Sequence, residues 1–242
     1  MPVARPLVPR RRRALVALAL PVCVATGSGR AAGQGAREAH EAHAELLLGT
    51  SWSLPTPLVV RLPGRPPLRI RAHYSTRPWS DAPYYAYRVG GGASPGAGGE
   101  AELLHHKLYL EHPPPPVEHF EVTHGYNLLT ADAVRPSGAA TIRVGGGLVI
   151  AHAEGSVAGQ RVGGTRRTWL GGGYHVAGVT AQLAVGRDYA LGGGRTFLYA
   201  APEVKLTASV ARVPLGDAGG SLFVPNVAAH ALAGLGVRRV GF

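Results

Sequence analysis

The chain has 242 residues, of which 45% are hydrophobic, 35 are glycine and 20 are proline. This composition excludes a disordered chain and a bundle of long helices, and the single cysteine, Cys23, excludes a disulfide framework and a cysteine-based zinc site. The formal net charge of +11 suggests a nucleic-acid partner, but six of the 25 basic residues lie in residues 1–34, which contain no acid. Charge therefore gives no reason to predict nucleic-acid binding.

Residues 1–33 have the three parts of a secretory signal peptide. Met1–Arg13 is basic, Ala14–Ala25 is apolar, and small residues follow through Gly33. A membrane-spanning helix needs about 20 apolar residues, and neither this segment nor the rest of the sequence has such a stretch. The mature protein is therefore expected to be exported, either as a soluble domain or as a protein that spans a membrane with strands.

Residues 34–66 are expected to form a periplasmic extension. Residues 36–48 have the composition of a short helix, and the prolines in 50–67 exclude a continuous helix there. From residue 67 onward, alternating hydrophobicity and turn residues predict eight strands. These are 68–76, 84–90, 101–111, 117–130, 139–152, 174–190, 195–212 and 224–241.

The length and alternation of these strands decide the fold class. The strand at 195–212 shows the pattern best: Val204, Leu206, Ala208 and Val210 alternate with Glu203, Lys205, Thr207 and Ser209. Several strands are much longer than the five or six residues usual in globular proteins, and long enough to cross a bilayer at a tilt. The sequence thus predicts an all-β fold, an eight-stranded antiparallel transmembrane β-barrel over residues 67–242, with an exported soluble β-domain as the alternative.

With its leader, its alternating strands and a C-terminal Phe242, the chain resembles bacterial outer-membrane β-barrel proteins of the small eight-stranded type. The resemblance implies a location in the outer membrane, contact with outer-membrane lipids, and recognition of the C-terminal strand by the barrel-assembly machinery. The interior of an eight-stranded barrel is filled by side chains or holds one small ligand, so a wide diffusion pore is excluded.

Charged residues fall on the predicted lumen face. Six cations there face two acids, Glu121 and Glu203, so we expect either a salt-bridged plug or a site for a small anion such as a phosphate or carboxylate. The candidate ligand-binding residues are Arg69, Arg71, Arg88, Lys107, Arg143 and Lys205.

Two short segments resemble lipid A-modifying barrels. His73, with an Arg-Pro-Trp sequence shortly after it, resembles the outer-membrane lipid A palmitoyltransferases, although the second loop lacks their Asp-Ser pair. Thr123–Asn127 (THGYN) resembles the His-x-Ser-Asn of lipid A deacylases, with Tyr126 in place of the serine. The resemblance implies His73 or His124 as a catalytic residue of an acyltransferase or deacylase, the alternative to a barrel without enzymatic chemistry.

The sequence predicts neither a metal site nor a cofactor. Its 11 histidines include no His-x-His or His-Glu-x-x-His spacing. None of the triple-glycine runs opens a helix after a strand with a phosphate-binding lysine, so they are expected to allow strand curvature and turns.

Overall fold

The computed structural model describes residues 40–93, 97–163, 172–216 and 219–241. The predicted signal peptide and Phe242 lie outside these residues. The strands are β1 (His40–Ser53), β2 (Thr56–Arg61), β3 (Leu68–Ala72), β4 (Tyr74–Ser75), β5 (Tyr85–Ala93), β6 (Ala97–Leu110), β7 (Val117–Ser137), β8 (Ala140–Ala151), β9 (Glu154–Val157), β10 (Gln160–Arg161), β11 (His175–Gly186), β12 (Tyr189–Ala190), β13 (Thr196–Ala200), β14 (Glu203–Leu215) and β15 (Gly220–Val240). None of the described residues forms a helix long and apolar enough to cross a membrane.

Eight antiparallel strands form a closed ring. In order around the ring they are β1, β5, β6, β7, β8, β11, β14 and β15, and each pairs with both of its neighbours. The ring closes between β1 and β15, where Glu41 pairs with Val240 and Ser53 pairs with Ala228. The fold is thus the all-β, eight-stranded antiparallel barrel that the alternation predicts.

The first strand of the ring differs from the prediction. The sequence predicts a short helix over 36–48 in an extension that ends at residue 66. Residues 36–39 lie outside the described residues, and from residue 40 the structure has β1 as a full member of the ring. Its outward positions include Leu46 and Leu48, and its inward positions include Glu41 and Glu45. Alanine, glutamate and leucine favour helices, but hydrogen bonds to strands on both sides outweigh that preference. The described barrel therefore begins at residue 40 and not at 67.

The predicted first strand, 68–76, lies outside the ring. β3 pairs only with β2, and β2 pairs with the first residues of β15, so this hairpin extends the sheet beyond the barrel. The other seven predicted strands each overlap a ring strand. β11 and β14 are shorter than predicted because the chain leaves the strand conformation at 187–188 and at 201–202.

The connections divide the barrel into two ends. At the end that we call the loop end, β1 connects to β5 through residues 54–84, β6 to β7 through residues 111–116, β8 to β11, and β14 to β15. At the other, the turn end, β5 connects to β6, β7 to β8 through residues 138–139, and β11 to β14 through residues 187–202, and the described ring also begins and finishes there. β2, β3, β4, β9 and β10 all belong to the loop end and pair with the ring strands or with one another.

The outward face of the ring is apolar. Large aliphatic and aromatic side chains stay accessible on most ring strands, whereas the outer face of a soluble sheet is polar. Examples, in chain order, are Leu46, Leu48, Tyr87, Val89, Leu129, Val144, Leu148, Val179, Leu183, Val204, Leu206, Leu235 and Val237. These residues form an apolar belt around the barrel.

The inward face changes in character along the barrel. On β14 the order from the turn end is Lys205, then Ser209, then Val213, which marks a charged, a polar and an apolar layer. In the charged layer β8 lies so close to β7 that a Cβ added to Gly147 would lie 1.9 Å from the carbonyl oxygen of Leu129. The triple glycine at 145–147 thus allows a close approach of two strands.

Candidate functional site

Arg88 is the centre of a buried ion network in the turn-end half of the lumen. Its side chain is 1% exposed and contacts four carboxylates. The contacts are Nη1 to Glu45 Oε2 (2.5 Å), Nη2 to Glu102 Oε2 (2.6 Å), Nη2 to Glu203 Oε1 (2.7 Å) and Nε to Glu100 Oε2 (3.4 Å). These glutamates lie on β1, β6 and β14, so one guanidinium group on β5 links three other strands of the ring.

Arg143 and Lys205 complete the network. Arg143 donates from Nε to Glu100 Oε2 at 2.8 Å and from Nη1 to Glu203 Oε2 at 3.1 Å. Lys205 donates from Nζ to Glu102 Oε1. Both cations are buried, and β8 carries Arg143, so the network crosses the barrel instead of following one wall.

The network has no surplus of positive charge. Three fixed cations face four carboxylates, and two further side chains, Tyr199 and His43, also contact these carboxylates. Tyr199 donates its hydroxyl to Glu45 Oε1 at 2.7 Å, and His43 Nε2 lies 2.9 Å from Glu100 Oε1. The arrangement has the character of a salt-bridged plug, in which every cation is already neutralised.

The structure corrects the predicted balance of six lumen cations against two acids. Of the two acids, Glu203 belongs to the network, but Glu121 lies at the loop end, where its Oε2 is 3.0 Å from His119 Nε2. The prediction missed the other three acids of the network for two reasons. Glu45 and Glu100 lie outside the predicted strands. Glu102 lies on the opposite face of β6 from the one predicted, because a bulge between His106 and Leu108 interrupts the alternation along the strand. The missed acids are Glu45, Glu100 and Glu102.

Three of the six predicted ligand-binding cations lie away from the network. Arg69 and Arg71 are exposed on β3, and Ile70 between them packs into the apolar core. Lys107 is buried at the loop end, where its Nζ donates to the carbonyl oxygen of Ala82 at 2.7 Å and to that of Ser80. Lys107 thus holds the 54–84 connection against β6, and the six cations do not form one site.

The polar layer of the lumen contains a serine, a histidine and an asparagine in contact. His106 Nδ1 lies 3.3 Å from Ser51 Oγ, and His106 Nε2 lies 3.1 Å from Asn226 Oδ1. This order of groups also occurs in hydrolases, where a nucleophile, a base and an orienting group meet at a surface cleft. Here His106 and Asn226 have no exposed surface, and Ser51 Oγ also lies 2.6 Å from Thr76 Oγ1. The three side chains satisfy one another inside the barrel, beyond the reach of a substrate.

The two histidines implied by the lipid A resemblance lie at the loop end. His73 is exposed between β3 and β4, and His124 is exposed on β7. Tyr126 is buried in the lumen. Gly125, which lies between His124 and Tyr126 in the sequence, has a φ of 126°. This irregularity directs His124 and Tyr126 to different sides of the barrel wall, so they do not form a catalytic pair.

His124 also lacks the geometry of a general base in a triad. Thr123 Oγ1 lies 3.4 Å from His124 Nδ1, and Glu154 Oε1 lies 3.2 Å from the same nitrogen. A triad needs the nucleophile and the orienting carboxylate on opposite ring nitrogens. The geometry around His124 therefore does not support acyl transfer.

Comparison with known proteins finds matches among solved structures. No protein-family model matches the sequence, and no curated protein matches it. Solved structures do match, among them a solid-state NMR structure of the outer membrane protein AlkL in DMPC lipid bilayers. That chain is 13% identical, the match covers 88% of this chain and 95% of that one, and the TM-score is 0.43. The barrel fold of the present chain follows from its own closed ring of strands.

Proposed function

We propose that the chain is an integral outer-membrane β-barrel that does not act as a diffusion pore. The apolar belt supports the membrane location, because such a face is stable in lipid and promotes aggregation in water. Exposed aromatic residues lie beyond the belt towards both ends, Trp52 at the loop end and Tyr189 at the turn end. Aromatic side chains at these two levels are typical of membrane–water interfaces.

The buried ion network is the observation that supports a non-conducting barrel. The side chains of Arg88, Arg143, Lys205 and their four glutamates are at most 2% exposed. An ion in transit would have to separate these buried ion pairs, and a buried charge without its partner is unfavourable. The apolar core also fills the loop-end half of the lumen, so side chains occupy the barrel on both sides of its polar layer.

Two measurements test this proposal. The protein is expected in the detergent-extracted outer-membrane fraction, with a different gel mobility before and after boiling. In planar lipid bilayers we expect no stepwise conductance. Recovery in the soluble fraction without detergent would contradict the membrane location, and conductance steps of porin size would contradict the plug.

A second candidate function, binding of anionic groups, is favoured by the hairpin of β2 and β3. Arg61, Arg65, Arg69 and Arg71 are all exposed there, and residues 54–80 contain no acid. No ion pair links any of these four side chains to another described residue. Guanidinium groups that have no ion-pair partner among the described residues suit the phosphates of a lipid headgroup, and this proposal keeps the predicted roles of Arg69 and Arg71 as ligand-binding residues.

Binding of lipid A in detergent micelles tests the second candidate. The double variant Arg69→Gln/Arg71→Gln is expected to bind at least about fivefold more weakly, with a weaker salt dependence. Arg135→Gln, an exposed arginine on β7, is the matched control. Equal binding of dephosphorylated lipid A would rule out phosphate recognition, and an altered acyl pattern of lipid A by mass spectrometry would instead support an enzyme.

A further inference from the structure

Three metal-ligating side chains meet on the surface of the loop end. His124 lies on β7, His152 directly follows β8, and Glu154 begins β9. One ring nitrogen of each histidine and one carboxylate oxygen all lie within 4.8 Å of one another. We propose that this cluster binds a Zn²⁺ ion, with His124, His152 and Glu154 as its three protein ligands.

The distances suit a tetrahedral ion. Glu154 Oε1 lies 3.2 Å from His124 Nδ1 and 3.7 Å from His152 Nε2, so the oxygen stands between the two rings. Ligand atoms at zinc bond lengths of about 2.0–2.1 Å are about 3.3 Å apart around a tetrahedral ion. Binding therefore needs the ligand atoms to approach one another by up to about 1.5 Å, a distance that rotation of the three side chains can supply.

The backbone around the cluster is held by other contacts. Pairing of β9 with β7 places Glu154 beside the strand that carries His124. The backbone N–H of His152 donates to the carbonyl oxygen of Gly125 at 3.2 Å, and the Tyr174 hydroxyl donates to the carbonyl oxygen of His124 at 2.6 Å. The Tyr174 ring also lies edge-on to His152, with 4.9 Å between ring centroids. Ligands on a preorganised backbone need little rearrangement to bind an ion.

The types of ligand atom in the cluster indicate which metal ion it binds. Two imidazoles and one carboxylate form the protein ligand set of zinc sites that keep a fourth position open. Calcium and magnesium prefer oxygen ligands, so neither suits this cluster. His124 and Glu154 are about half exposed, which leaves the fourth position to water or to a ligand from outside. The site lies beyond the apolar belt, and the proposal does not depend on the membrane function.

Isothermal titration of the full-length chain in detergent, purified without a polyhistidine tag and freed of metal with a chelator, tests the site. We expect one high-affinity Zn²⁺ per chain, and a Co²⁺-loaded protein with visible d–d absorption bands. His124→Ala, His152→Ala and Glu154→Gln are each expected to weaken Zn²⁺ binding at least about tenfold. His73→Ala, another exposed histidine of the loop end, is expected to bind Zn²⁺ as the wild type does.

Gel mobility with and without boiling shows whether each variant is folded, so that weak binding is not confused with a lost fold. Because all three ligands are at the surface of the loop end, we expect all variants to form the barrel. Absence of stoichiometric Zn²⁺ binding by the wild type would overturn the proposal. Equal affinity of the wild type and the three folded ligand variants would overturn it as well, because the bound ion would then lie elsewhere.

Discussion

Arg88→Met removes the cation on which the ion network depends. Methionine keeps much of the length of the side chain, so the main change is the loss of the guanidinium group. Four carboxylates then face only Arg143 and Lys205. We expect the folded barrel to lose stability, because buried carboxylates without a partner are unfavourable in a site that water does not reach.

The size of the effect follows from the contacts. Two charges about 4 Å apart attract by about 4 kcal/mol at an effective dielectric constant of about 20, and each of the four contacts of Arg88 is shorter than that. Desolvation of the ions offsets most of this attraction, and removing one partner of a buried pair costs about 3–5 kcal/mol in proteins. Because four carboxylates lose a partner at once, we expect about 4–5 kcal/mol, or about a thousandfold in the unfolding equilibrium.

Urea titration of the barrel in lipid vesicles, followed by tryptophan fluorescence and by gel mobility, measures this loss. Arg135→Met on β7 replaces an exposed arginine and is expected to change the free energy of unfolding by less than about 0.5 kcal/mol. Adding Glu102→Gln to Arg88→Met is expected to recover part of the stability, because one unpaired charge is removed. A loss below about 1 kcal/mol for Arg88→Met would refute the reasoning, since it would mean that water already reaches the network.

Three other substitutions test the belt, the strand packing and the loop end. Leu206→Arg is expected to destabilise the barrel in lipid by up to about 4 kcal/mol, and no loss in a urea titration would argue for a water-facing surface. Gly147→Ala is expected to cost about 1–3 kcal/mol in the same assay, whereas Gly192→Ala, with nothing within 4 Å of the added Cβ, should be close to neutral. A hydrogen bond from Ser75 holds the pKa of Glu111 below its usual range, so Glu111→Gln is expected to cost less than about 1 kcal/mol at pH 7. That difference should vanish as the pH falls through the folded-state pKa of Glu111, and a difference that persists in acid would exclude an ionic origin.

The sequence predicts the strands best where one face is aliphatic and the other is polar. β14 is recognisable because Val204 and Leu206 alternate with Lys205 and its polar neighbours. β1 also alternates, but its alanines, glutamates and leucines equally suit a helix, and only pairing with β5 and β15 decides between the two. The ion network could be predicted only in part, because the partners of Arg88 come from distant strands whose register depends on a bulge.

The zinc cluster could not be predicted from spacing. Its ligands come from β7 and from the segment that follows β8, and they meet because β9 folds back against β7. His124 and His152 are far apart in the sequence, but this folding brings their rings into contact, with 5.1 Å between centroids. Only the short His152-x-Glu154 segment is local, and two ligands alone do not distinguish a metal site from an ordinary surface ion pair.

The pairing of β1 with β15 limits the order in which the barrel can fold and the places where its chain can be cut and rejoined. It joins the two ends of the ring, so it cannot form until the last strand is available, whereas hairpins such as β5–β6 and β7–β8 need only local contacts. A chain cut before β15 would be an open sheet with two unpaired edges, prone to aggregation. Because His40 and Val240 emerge at the same end, joining them and opening the 138–139 turn would give a circular permutant with every strand pair retained.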